Sequence, residues 1–333
     1  MKKVVISNKV HTEVIELLEK NFEVISNQND KPLTYEKLKF LCKDAHGVMV
    51  FMPDRINKNF LDNSKNLEII SGALRGFDNI DLEECIKRNI KFTMIPDLLA
   101  SPTAELTLGL LIGLSRNLLI GDEYVRSEKF KGWEPKFFSN GIEGKNVCLL
   151  GMGKLGVEVA RKIKGFNVKL FYHDLQKLDS IDEQQLNTKY LELNDLFEKA
   201  DYLVILLPLK NDTYHFINFE NILKIKKNCL LINTSRGSVV DESAIAQAIN
   251  SGHIGGYASD VFEFEDLSIK DRPKKINQEL LNLKDKTFFT PHLGSAVDEV
   301  RLFIELEAAQ NIINFLLIKD SRIKEFSVIM ESY

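Results

Sequence analysis

The sequence predicts an α/β protein built from two doubly wound domains. Three observations predict it. Short apolar runs alternate with helical apolar spacing along the chain. A glycine fingerprint sits in mid-chain, with complete α/β units ahead of it. At 333 residues the chain also exceeds the usual size of a single core.

Val4, Val5 and Ile6 form a first strand, and Val10, Val14, Leu17 and Leu18 mark one face of a helix. Residues 22–25 read as a strand, 35–41 as a helix, and 47–51 and 67–71 as two further strands. Ser101, Pro102 and Glu105 have the form of a helix start: a cap, a proline at the first helical position and an acid in the first turn. The apolar helix that follows is expected to run to Leu119. Residues 132–138 are polar and aromatic, with loop character. A second strand series follows at 147–150, 168–172, 202–207, 230–233, 256–260 and 287–290, and a long helix over 296–318 closes the pattern. A cofactor domain of residues 100–294, inserted into a discontinuous substrate domain of residues 1–99 and 295–333, fits this order better than two domains in tandem.

The net charge of −4, from 44 cations and 48 anions, gives no general attraction to nucleic acid or to an anionic membrane. Cys42, Cys85, Cys148 and Cys229 are widely spaced without a Cys-x-x-Cys, which argues against a zinc site or a disulfide framework. The start of the chain has two lysines and a short apolar run, the pattern of a strand and not of a signal peptide. The apolar stretch at 106–114 is too short to span a bilayer. A cytoplasmic location is expected.

The run Val147, Cys148, Leu149, Leu150 leads into Gly151, Gly153 and Gly156 in a G-x-G-x-x-G spacing, followed by a helical stretch. Between a strand and a helix this pattern marks a dinucleotide site: glycines for the turn and for close backbone approach, and a helix N-terminus for the pyrophosphate. The fold expected is therefore two doubly wound Rossmann-like domains. Asp174 follows the next strand, where an acid accepts hydrogen bonds from a ribose diol and repels a 2′-phosphate, so NAD is expected over NADP. Lys177, nearby, would soften that choice.

Three further segments each end a predicted strand, where open parallel sheets bind ligands. They hold Thr234, Ser235 and Arg236; Asp260 through Glu265; and Thr290, Pro291 and His292 through Ser295. Only ten of the 44 cations are arginine, so Arg236 is not the default cation, and a guanidinium grips a planar oxyanion bidentately.

On the motifs at 151–156, 234–237, 260–265 and 290–292 the chain resembles the D-2-hydroxyacid dehydrogenase family over essentially its full length. The resemblance implies that Arg236 orients the substrate anion, that His292 is the acid/base and that Glu265 hydrogen-bonds it. It places Thr103, Gly151, Gly153, Lys154, Leu155, Gly156, Asp174, Pro208, Thr234, Ser235, Asp260 and Gly294 at the cofactor. Segments 51–55, 73–79, 96–99, 125–133 and 294–302 are similar to the phosphite (phosphonate) dehydrogenases of that family. This likeness implies a substrate pocket with Met52, Arg75, Gly76, Arg236, Pro291, His292, Ser295 and Arg301, and Trp133 nearby. Those enzymes carry lysine where Arg75 stands.

On this reading the substrate is phosphite, a small oxyanion oxidised to phosphate with NAD, and three arginines suit it better than a lone carboxylate. The alternatives are a D-2-hydroxyacid dehydrogenase or glyoxylate/hydroxypyruvate reductase, and an NAD-sensing, corepressor-like binding protein; the complete Arg–Glu–His set speaks against the last. The resemblance further implies a homodimer, formed through the helix after Pro102 and the arm at 125–138.

Overall fold

The computed structural model describes residues 1–95 and 98–318. Pro96 and Asp97 of the 96–99 motif, and residues 319–333 of the expected C-terminal segment, lie outside the described residues. The chain divides into two compact units, one of residues 1–99 with the chain from Ala296 onward, the other of residues 100–295.

The first unit holds strands β1 (Lys3–Ile6), β2 (Glu23–Ser26), β3 (Gly47–Val50), β4 (Ile69–Gly72) and β5 (Lys91–Thr93). All pair in parallel, in the order β2-β1-β3-β4-β5. Every residue of β3 and β4 is buried, which explains their unbroken apolar or small composition: a parallel sheet is covered on both faces. Helix Asp298–Ile313 belongs to this unit, and its Ile304, Ala308 and Ile312 share a core with Val4, Ile6, Met49 and Ile69.

The second unit holds β6 (Asn146–Leu150), β7 (Lys169–His173), β8 (Thr188–Tyr190), β9 (Tyr202–Ile205), β10 (Leu230–Asn233), β11 (Gly256–Ser259) and β12 (Thr287–Phe289). These too are all parallel, in the order β12-β11-β10-β9-β6-β7-β8. Both units are thus doubly wound Rossmann-like sheets, with strand order reversing beside β1 in one and beside β6 in the other. Ligand crevices form at the carboxyl ends of the strands at such reversals.

Four expected boundaries move. The helix expected to start after a Ser101 cap spans Ala100–Ser115, so Ser101 and Pro102 already lie in its first turn. It does not reach Leu119. Asn117 adopts a left-handed backbone (φ 54°), a conformation asparagine tolerates, and a second helix over Leu118–Arg126 leaves at 65°. The last helix begins at Asp298 and changes to a π-helical turn at Asn314–Ile318. Ser295, expected to open the returning segment, groups with the second unit, because Asp260 ties down the chain immediately before it. All four cysteines are buried. Among the described residues no single helix is long and apolar enough to cross a membrane.

Candidate active site

The glycine turn after β6 fits a dinucleotide on steric grounds. Gly151 has φ +105°, a conformation that L side chains rarely adopt, and its amide hydrogen-bonds the His173 carbonyl at 2.9 Å. A Cβ at Gly156 would lie 2.5 Å from the Gly151 carbonyl oxygen, so only glycine lets the helix approach the turn. Gly153 caps helix Lys154–Ile163 and faces open space, exposed together with Lys154, with Leu155 half-buried behind them. That is a cradle of backbone N–H groups at a positive helix end. Pro208 is exposed just beyond β9, the strand beside β6.

Asp174 stands one residue past β7, and its Oδ2 accepts the Met152 amide at 2.6 Å. The carboxylate therefore braces the glycine turn. Lys177 lies 3.9 Å from the Tyr190 ring centroid and 3.8 Å from Glu192, which draws its charge toward those partners. Replacing Asp174 with alanine is expected to shift the NADP/NAD preference toward NADP by about tenfold or more, as a repelling charge goes. Loss of the brace should raise KM for both cofactors. Steady-state kinetics with each cofactor check this, and a wild-type preference for NADP would overturn the role of Asp174.

The three candidate catalytic side chains are carried by three loops of the second unit. At the end of β10, Asn233 accepts the Ser235 amide (3.0 Å) and hydroxyl (2.8 Å), while its Nδ2 donates to the Arg236 carbonyl at 3.0 Å. Arg236 is half-buried, and its Nη1 donates to the Ser235 carbonyl at 2.9 Å. Thr234 hydrogen-bonds Thr107 at 2.8 Å, and Thr107 in turn donates to the Thr103 carbonyl, tying the start of helix Ala100–Ser115 to this loop.

Glu265 ends a 3-10 turn over Glu263–Glu265; its Oε1 accepts the Phe262 amide at 2.7 Å and its Oε2 lies 2.7 Å from Nδ1 of His292. The expected Glu265–His292 pair is therefore formed. His292 has φ 56°, a strained value for a non-glycine residue, which Asp260 maintains. The Asp260 carbonyl accepts the His292 amide at 2.9 Å, and its carboxylate accepts Thr290 Oγ1 (2.6 Å), Leu293 N (2.7 Å) and Gly294 N (2.9 Å). Burial pushes the Asp260 carboxyl above its usual range, and these donors work against that. Asp260, expected at the cofactor, thus spends both carboxylate oxygens on the 290–294 loop. Gly294 packs on Thr103, whose Oγ1 a Cβ would approach to 3.0 Å. Pro291 is exposed and Ser295 half-buried on the same loop.

Several supports had little or no signal in the sequence. Glu242 and Glu263 are buried and accept each other's backbone amides at 2.9 and 3.0 Å. His215 Nε2 lies 2.9 Å from Glu263, and Asp266 accepts the Ser238 amide at 2.7 Å. Burial works to lower the His215 pKa, but Glu263 and its acidic neighbours outweigh it and raise it. At Gly237 an added Cβ would overlap the Phe262 carbonyl group, so the turn carrying Arg236 is locked against the turn carrying Glu265.

Trp133 is 83% exposed. The stretch around it has no regular structure and stays on the surface.

The remaining expected residues lie in the first unit, at the carboxyl edge of its sheet. Met52 follows β3, and its carbonyl accepts Asn79 Nδ2 at 3.3 Å. Arg75 and Gly76, half-buried, follow β4. Arg301 reaches the same edge from helix Asp298–Ile313, with Nη1 3.4 Å from the Ala73 carbonyl and its guanidinium 5.4 Å from the Phe51 ring centroid.

Residues 108–294 match the family described as D-isomer specific 2-hydroxyacid dehydrogenase, NAD binding domain. A glyoxylate reductase of Pyrococcus horikoshii is 35% identical over 318 residues, covering 94% of this chain and 92% of its own. Another, of Thermofilum pendens, is 35% identical over 295 residues, covering 88% and 85%. A solved structure from Thermus thermophilus has a TM-score of 0.85 at 28% identity, covering 94% of this chain and 96% of its own. A D-lactate dehydrogenase of Aquifex aeolicus, complexed with NAD and lactic acid, has a TM-score of 0.82 at 24% identity, covering 97% and 100%, and so shares the fold.

Proposed function

This chain belongs to the D-isomer specific 2-hydroxyacid dehydrogenase family, and we propose that within it the protein oxidises phosphite to phosphate with NAD. It is an NAD-dependent oxidoreductase. The observation that carries the phosphite reading is a pair of guanidinium groups at the carboxyl edge of the first unit's sheet, Arg75 and Arg301. A carboxylate substrate needs one such clamp, whereas phosphite spreads two charges over three oxygens.

Held at the glycine turn, NAD would supply the acceptor for the hydride of the P–H bond. Arg236 holds the oxyanion and orients that bond. His292, fixed by Glu265 through Nδ1, presents Nε2 to take the proton from the water that adds at phosphorus.

The relatives favour a second reading, reduction of glyoxylate or a similar 2-keto acid, because the similar curated proteins carry that name. There Arg236 would hold the carboxylate and His292 would give its proton to the keto oxygen. A homodimer is proposed for either reading. Leu118, Leu119, Val125, Phe130, Trp133, Phe137 and Phe138 are all exposed on one stretch of the second unit, and such apolar surface supports the dimer reading.

NADH formation with phosphite and NADH consumption with glyoxylate separate the two substrates. On the phosphite reading, Arg75→Ala lowers phosphite turnover by on the order of 10²–10³, the usual effect of losing one donor to a developing oxyanion. Arg75→Lys keeps much of the rate. Turnover of glyoxylate with none of phosphite would install the second reading.

A further inference from the structure

Arg301 does not stand alone in the first unit. Its Nη2 donates to Glu305 Oε1 over 3.4 Å, and the bond to the Ala73 carbonyl is equally long. Glu305 is only 3% exposed, and its other oxygen is held much more tightly: Oε2 accepts the His11 amide at 3.1 Å and lies 2.8 Å from His11 Nδ1. On its far side, His11 Nε2 lies 3.3 Å from Asp298. Four charged or titratable groups thus form a line, Arg301–Glu305–His11–Asp298, from the carboxyl edge of the sheet to the surface.

The two ends of Glu305 are unequal. A carboxylate bound at 2.8 Å on one side and 3.4 Å on the other gives most of its hydrogen-bonding to the histidine. The guanidinium, with five donors, is left with two long bonds and an aromatic face among the described residues. Such a cation is under-compensated and suited to an incoming anion. How far Glu305 neutralises it depends on whether His11 carries a proton.

We propose that His11 is a positioning residue that sets, through Glu305, how much positive charge Arg301 offers to the substrate oxyanion. The proposal rests on the reading that Arg301 contacts that anion. With His11 protonated, the Arg301–Glu305–His11 group has a net charge of +1; with His11 neutral it has none. The hydrogen bond to Glu305 raises the His11 pKa, against a smaller lowering by burial, and Asp298 adds to the rise. The protonated form therefore persists to higher pH than in an ordinary histidine. The charged groups facing the ring are Glu305 and Asp298 from helix Asp298–Ile313, with Arg301 beyond Glu305; among the described residues no other charged side chain pairs with it. Oxyanion affinity is thus highest at low pH and falls as pH rises through the His11 pKa. This step is distinct from any carried by His292.

The test has two arms. In the first, KM and kcat are measured from pH 5.5 to 8.5 for the wild type and His11→Asn, with whichever of phosphite and glyoxylate the wild type turns over. Asparagine keeps a donor toward Glu305 and cannot titrate. The ratio of variant to wild-type KM is expected to fall from roughly three- to tenfold at low pH to near one at high pH, the size of a single partly screened charge. The kcat profiles should superimpose. A KM ratio that does not change with pH overturns the proposal.

The second arm needs no turnover. The His11 ring is titrated by NMR with and without saturating oxalate, in wild type and Arg301→Gln. By linkage, anion binding should raise the His11 pKa in the wild type and leave it unchanged in the variant. A His11 titration indifferent to oxalate in the wild type overturns the proposal. If neither substrate is turned over, the functional reading fails in the first arm while the second still decides the role of His11.

Discussion

Replacing His292 with asparagine is expected to lower turnover by on the order of 10²–10⁴ while NAD still binds. The backbone there sits at φ 56°, and asparagine is among the few residues that tolerate this conformation, so the loop should keep its shape. The Asp260 bonds that hold the loop run to Thr290, Leu293 and Gly294 and to the backbone of residue 292, and none needs the imidazole. What the variant loses is a ring that can carry a proton at Nε2 while Nδ1 is engaged by Glu265. Glu265→Gln should cost less, about tenfold, because the amide oxygen can still accept the Phe262 N–H and only the charge facing His292 is removed. Steady-state rates and a fluorescence titration with NADH check both variants. Near wild-type turnover in His292→Asn would take the histidine out of the mechanism.

The sequence shows the catalytic side chains more clearly than the groups that hold them, and for a physical reason. Gly151, Arg236 and Glu265 follow the central strands β6, β10 and β11, and such buried strands stand out as runs of apolar or small residues whose ends can be read directly. The edge strands β5 and β8 were not legible. They are three residues long, each carries a lysine, and nothing in KFT or TKY separates them from a loop. The supporting polar groups were hidden for a different reason. Glu242 and Glu263 hold two turns together by exchanging backbone bonds, and Glu305 couples His11 to a residue nearly the whole chain away. These pairings depend on how turns and helices pack, which no local spacing records. The end of helix Ala100–Ser115 was misplaced because apolar residues continue past it, and one left-handed asparagine outweighs that continuity.

Arg236→Ala is expected to lower kcat/KM by about 10³ or more, on whichever of the two substrates the enzyme uses. The turn carrying Arg236 is fixed without help from its side chain. Asn233 holds both Ser235 and the Arg236 carbonyl, Gly237 is wedged against the Phe262 carbonyl, and Asp266 accepts the Ser238 amide at 2.7 Å. Truncation should therefore leave the turn in place, and the loss reads as the loss of the guanidinium. Arg236→Lys separates charge from shape. Lysine restores the charge as a point without the two-pronged geometry, so it should recover roughly a tenfold part of the loss. Both kcat and KM should respond, because an anion held by one N–H in place of two is bound less tightly and leaves the reacting bond free to turn away from the nicotinamide. Initial-rate kinetics on the two variants, with NADH binding as the control for an intact second unit, provide the measurement. An alanine variant with unchanged KM and kcat would mean that the anion is held elsewhere. Arg75 and Arg301, at the edge of the first unit's sheet, would then be the groups left to hold it.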